Sequence, residues 1–128
     1  MSDTILTMKL LKGEYGVCKL DSDSKIPSWS TKGDFFNITK TNDELSLVCD
    51  ATFVPEGVVC EKDWKVLKIL GPLDFALVGI LSSISTVLAE NGISIFAIST
   101  YDTDYILVKE KNLEKTITCL REANYEIF

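Results

Sequence analysis

Residues 64–128 carry the signals of strand, helix, strand, tight turn, strand, helix and strand, in that order, and few folds accommodate such a succession. The first strand, with Trp64, Val66, Leu67, Ile69 and Leu70, stops at Gly71-Pro72, a pair that punctuates regular structure. Over residues 74–91 the apolar positions are Leu77, Ile80, Leu81, Ile84, Val87 and Leu88, the three-and-four spacing of one helix face. Asp74 is read as the N-cap of that helix and Gly92 as its left-handed stop. Residues 93–100 and 105–109 are rich in strand formers and are joined by Tyr101-Asp102-Thr103-Asp104, read as a hairpin turn. A second helix is expected from about Asn112, with Leu113, Ile117 and Leu120 on one face, before a short last strand at 125–128. This βαββαβ order predicts an α+β, ferredoxin-like domain, an antiparallel sheet with two helices on one side. Element order alone gives no function.

The wording of the segment is more specific. Gly71-Pro72-Leu73-Asp74-Phe75, Gly79-Ile80-Leu81, Leu88-Ala89-Glu90-Asn91-Gly92-Ile93-Ser94-Ile95-Phe96-Ala97-Ile98-Ser99-Thr100 and Thr103-Asp104-Tyr105-Ile106-Leu107-Val108 stand in sequence with natural spacing. Together they resemble the ACT domain, in the branch found in aspartate kinases, cytosolic arginine sensors and small stand-alone proteins. The resemblance covers about the last half of the chain. It implies a regulatory domain that binds amino acids or similar small metabolites, usually at an interface between two such domains.

The first half echoes the second. At a shift of 60 residues, Phe36, Ile38 and Thr39 fall on Phe96, Ile98 and Ser99, and Leu45, Leu47 and Val48 fall on Tyr105, Leu107 and Val108. The same shift places Leu6 and Leu10 on Val66 and Leu70. Apolar alternation explains part of this agreement, and the offset shared by separate blocks favours a duplication. Pro27 forbids a long helix in residues 17–31, so only a short turn near 26–30 is expected there. Two sequential ACT-like units are therefore expected, 1–61 with a reduced helical layer and 62–128 complete.

What the chain lacks excludes several functions. It has no histidine, hence neither the commonest general base nor the commonest metal ligand. Its four cysteines, Cys18, Cys49, Cys60 and Cys119, show no CxxC pairing, and reduced, partly buried thiols are expected rather than a metal site. No phosphate-cradling glycine motif is present, and no catalytic residue or cofactor is expected. A net charge of −6 with Arg121 as the sole arginine argues against nucleic acid, whose phosphates demand clustered cations. No apolar run is long enough to cross a bilayer, and the first residues lack the pattern of a secretory signal, so a cytoplasmic protein is expected.

Carried over position by position, the family's ligand contacts fall on Asp74, Leu77, Gly79 and Leu81 beside the first helix, and on Thr100, Tyr101 and Asp104 after the following strand. The chemistry suits a free amino acid. Backbone N–H groups at a helix start seat a carboxylate, while carbonyls and the Asp104 carboxylate meet an ammonium. Arginine-sensing members place an acidic residue where Leu77 stands, which points here to a small or apolar amino acid. Each position also has a plainer role: Asp74 as a helix cap, Leu77 and Leu81 as core, Asp104 as a turn residue, Gly79 as room for tight packing. The expected function is thus a non-catalytic metabolite sensor or allosteric module, a homodimer acting through a regulated protein partner. The alternative is a dimerisation or interaction module without a ligand.

Overall fold

A computed structural model describes residues 6–70 and 79–128. They form two compact units, Gly13–Trp64 and one that joins residues 6–12 to those from Lys65 onward.

The second of these units holds strand β1 (Thr7–Leu10). In the Gly13–Trp64 unit lie β2 (Tyr15–Leu20), β3 (Asn37–Lys40) and β4 (Leu45–Asp50), and the long strand β5 (Val59–Ile69) belongs to both units in turn. Helix α1 (Ile80–Glu90), strands β6 (Ile95–Ser99) and β7 (Asp104–Lys109), helix α2 (Leu113–Glu122) and β8 (Glu126–Ile127) complete the chain. Helix α2, the hairpin and the last strand occupy the places that periodicity predicts. Helix α1 instead begins at Ile80 with Gly79 as its N-cap, later than the start expected at Asp74, which lies outside the described residues. Gly92 has a φ of +71°, and the amide of Ile93 bonds back to the carbonyl of Leu88, closing α1 as expected.

Within the larger unit the strand order is β6-β7-β5-β1-β8. A simple βαββαβ domain would pair its last strand with its first. Here β1 lies between them, antiparallel to β5 with Met8 opposite Ile69, and parallel to β8 with Met8 opposite Ile127. The residues of β1, expected in a unit spanning 1–61, thus cluster with those from Lys65 onward. The reason is non-local. β8 is only two residues long, and a neighbour on β1 satisfies its backbone: Phe128 donates to Met8, and Leu10 donates to Phe128.

Helix and sheet meet in a core of Met8, Leu67, Ile69, Ile84, Leu88, Ile93, Ile106, Val108, Leu120 and Ile127. Leu67, Ile69, Ile106 and Val108 share the sheet face toward this core, as alternation requires. Val66 and Leu107, which alternate to the other face, are equally buried. Both faces are therefore out of solvent at Val66 and Leu67 of β5 and at Ile106, Leu107 and Val108 of β7, where the residues are consecutively apolar.

The Gly13–Trp64 unit orders its strands β3-β4-β2-β5. Cys18, Leu45, Leu47, Cys49 and Val54 form its core, with Trp29 and Ile38 packed against them. Between β2 and β3 the chain makes one short 3-10 turn, Ser28–Thr31, with Pro27 just before it and Ser30 buried. That is the short turn the proline predicts.

The two hairpins are alike in detail. Lys40 opposes Leu45 and Ser99 opposes Asp104, so each closes through a four-residue loop. Thr41 donates its amide to the carbonyl of Glu44 at 2.9 Å, and Thr100 does the same to Thr103 at 2.8 Å. In each, the threonine hydroxyl also accepts the amide of the loop's last residue. The structural offset across the hairpins is 59 residues, one fewer than the ungapped echo suggests. The difference matters, because a one-residue slip turns every side chain to the opposite face. At 59, the core residues Leu47 and Cys49 fall on the core residues Ile106 and Val108.

Candidate functional site

Of the seven residues assigned to a ligand site, Asp74 and Leu77 lie outside the described residues. The others fall into two groups.

Gly79 and Leu81 belong to the start of α1. Gly79 is the N-cap, with a left-handed φ of +79°, and as a glycine it makes no side-chain cap bond. A methyl group placed on Gly79 would meet nothing within 4 Å among the described residues. Among the described residues nothing packs tightly against this glycine, and it does not sit a turn inside the helix. Its backbone conformation is what requires it. The regular hydrogen bonding of α1 begins when the amide of Ser83 donates to the carbonyl of Gly79 at 2.8 Å. The N–H groups of Ile80, Leu81 and Ser82 thus precede the first intrahelical bond, the position where helices accept anions. Leu81 is half-buried and packs on the helix–sheet core.

Thr100, Tyr101 and Asp104 lie at the β6–β7 turn, which the structure assembles tightly. Thr100 donates its hydroxyl to the Thr103 carbonyl at 3.0 Å and accepts the Thr103 amide at 3.3 Å. Tyr101 at the tip is 82% exposed, so it serves no core role. Asp104 is half-buried, and its Oδ1 accepts the hydroxyl of Ser99 at 2.5 Å across the first strand pair. That bond fixes the carboxylate at the mouth of the turn.

The residue that sequence reasoning passed over is Thr103. Read as an ordinary turn residue, it is in fact 6% exposed, and its hydroxyl donates to the carbonyl of Ile69 at 2.6 Å. The contact spans 34 positions, and no local pattern announces it. It pins the turn to the end of β5, where the chain enters residues 71–78, beyond which lie Gly79 and α1.

The ACT domain family model matches residues 59–122, half of the chain, and a separate model of an N-terminal domain matches residues 13–57. A crystal structure of an Agobacterium tumefaciens protein is 38% identical, with a TM-score of 0.92 over 98% of this chain and 93% of its own. The bovine (Bos taurus) cytosolic arginine sensor for mTORC1 subunit 1 is 33% identical over 97 residues, which are 67% of this chain. That match takes in only 30% of the sensor's length. Aspartate kinase from Clostridium acetobutylicum, an allosteric enzyme, shares the fold alone, with a TM-score of 0.66 at 15% identity over 95% of this chain and 35% of the kinase. By its sequence match and its fold, the chain belongs to the ACT domain family.

Proposed function

We propose that this protein binds a free amino acid at Asp74, Leu77, Gly79, Leu81, Thr100, Tyr101 and Asp104, and that it acts as a non-catalytic regulatory module. Membership of the ACT family and similarity to an arginine sensor support a regulatory role in binding small molecules. What supports the amino-acid reading is complementary chemistry at two places, the start of α1 and the turn that Thr103 fastens to Ile69. Helix α1 opens at a glycine, whose lack of a side chain leaves the first-turn N–H groups to be offered to a carboxylate. The turn fastened to Ile69 holds the Asp104 carboxylate at its mouth, ready for an ammonium. Leu77 in place of an acidic residue favours a small or apolar side chain on the ligand. The chain contains no histidine, in keeping with binding rather than turnover.

The Gly13–Trp64 unit is read as a trimmed copy of the ACT domain, supported by the matching hairpins at offset 59. The working form is read as a cytoplasmic homodimer that passes its signal to a regulated protein. Its support is the edge strand β8, flanked by Phe128 at 71% exposure. Among the described residues no helix is long and apolar enough to cross a membrane.

A thermal-shift screen of the full chain against the twenty amino acids, followed by calorimetry and light scattering, tests the whole reading. One or a few amino acids are expected to raise the melting temperature by mass action. Uniform silence, with a dimer in light scattering, would instead favour an interaction module without a ligand.

A further inference from the structure

All four cysteines are free thiols, and three of them share one sheet face of the Gly13–Trp64 unit. Cys18 lies on the middle strand β2, directly opposite Cys60 on β5. Cys49 on β4 stands opposite Gly16, diagonal to Cys18. The Cys18 thiol donates to the Cys60 sulfur at 3.0 Å. Directly opposed residues of an antiparallel pair have Cα atoms roughly 4.5–5.5 Å apart. That separation falls inside the range a disulfide tolerates, roughly 4.4–6.8 Å.

A second, independent feature serves the same contact. The β2–β5 pairing bulges between Tyr15 and Val17, and Asp63 takes a left-handed φ of +70° there. Across this bulge the Cys60 sulfur lies 2.6 Å from where a Cβ on Gly16 would stand. The absent side chain of Gly16 is the space that Cys60 Sγ occupies, beside Cys18. Gly16 has an ordinary backbone, so this closeness, not a left-handed turn, explains it.

We infer that Cys18 and Cys60 form a reversible disulfide site that reacts with a low-molecular-weight disulfide. The roles follow from exposure. Cys60 is half-buried, whereas Cys18 and Cys49 are 1% and 0% exposed. Cys60, as thiolate, attacks one sulfur of the incoming disulfide, forms a mixed disulfide and releases one small thiolate, which takes up the proton Cys60 had lost. The Cys18 sulfur then attacks Cys60 Sγ, the mixed bond breaks, and the second small thiol leaves with the Cys18 proton. Two protein thiols and one small disulfide become one protein disulfide and two small thiols. Burial, and then the hydrogen bond to Cys60, hold the Cys18 thiol protonated well above the ordinary thiol range. Cys18 is therefore a poor first nucleophile, and its part is the second, intramolecular step, where contact replaces acidity. The product ties β2 to the first half of β5, closing a loop between residues 42 apart.

The test uses the full folded chain, glutathione disulfide as the probe, rapid alkylation and intact-mass analysis with peptide mapping. Wild type is expected to lose two hydrogens and two alkylatable thiols, with Cys18 joined to Cys60, and to recover both with excess glutathione. Cys18→Ser should stop at a mixed disulfide on Cys60, and Cys60→Ser should not react at this face. Gly16→Ala, which keeps both thiols but displaces the Cys60 sulfur, should slow ring closure on the order of tenfold. If a cysteine variant fails to fold, the wild-type map and Gly16→Ala still decide. A mixed disulfide on Cys60 that never closes, a Cys18–Cys49 bond, or closure equally fast in Gly16→Ala would overturn the inference.

Discussion

The hydroxyl of Thr103 donates to the carbonyl of Ile69 at 2.6 Å, joining the β6–β7 turn to the end of β5. Thr103→Val keeps the shape and removes the donor, leaving a buried carbonyl without this partner. The expected loss is about 1–3 kcal/mol of unfolding free energy by urea titration, with Thr103→Ser retaining most of it. Because the turn positions Asp104, the valine variant should also weaken ligand binding. Wild-type stability in the valine variant would show that the bond carries no weight.

Asp104 gives the sharpest test of the proposed site. Its carboxylate is oriented by Ser99 and sits half-buried at the turn. If it meets the ligand ammonium, Asp104→Ala should cost about 1–3 kcal/mol of binding free energy, tens-fold in affinity, in calorimetry. Equal affinity in both proteins would remove Asp104 from the site.

At Gly79 the left-handed conformation, with open space around it among the described residues, sets the expectation. Gly79→Ala should destabilise by about 1–2 kcal/mol through backbone strain alone. Gly79→Asn should cost less, since asparagine tolerates that region. Denaturation of the two variants side by side reads the difference. Equal losses would point to a steric cause instead.

Thr116 is fully buried on α2, and its hydroxyl has no hydrogen-bond partner among the described residues. Thr116→Val replaces a desolvated polar atom with a methyl group of similar size. It should raise stability by about 1 kcal/mol, visible as a higher urea midpoint. A drop would indicate a role for the hydroxyl outside the folded monomer.

Alkaline pH should loosen the protein. Burial raises the thiols of Cys18, Cys49 and Cys119 above the ordinary value of 9.0, and burial together with Asp50 and Asp34 raises the Tyr15 phenol above 10.0. Each acid is neutral when protonated and keeps its proton longer in the folded state. At alkaline pH the unfolded chain therefore binds fewer protons, and stability falls as pH rises. The contribution is complete below about pH 8 and erodes from about pH 9 upward, as the unfolded groups ionise. Urea midpoints measured at pH 7.5 and pH 10 check this, and Cys49→Ala should flatten the slope. A midpoint unchanged between those values would contradict it.

Local chemistry was enough to locate the body of α1, all of α2 and both strands of the β6–β7 hairpin. The start of α1 at Gly79 rests on a backbone conformation that periodicity does not register. Ile84 and Leu88, or Leu113, Ile117 and Leu120, face one way simply because a helix turns every 3.6 residues. Gly92 and Pro27 punctuate the chain through their own backbone limits. The ACT resemblance was likewise legible, because its blocks lie in one continuous stretch. Strand partners are a different matter. That β1 enters between β5 and β8 depends on a pairing between residues about 60 and 120 positions apart, which no neighbouring residue encodes. The hairpin offset of 59 rather than 60 was hidden for a related reason: alternating apolar residues match almost as well one step out of register, and only burial distinguishes the faces. Thr103, Gly16 and the Cys18–Cys60 contact became visible only in three dimensions. Each owes its role to an atom brought from a distant strand, and sequence position carries no measure of that distance.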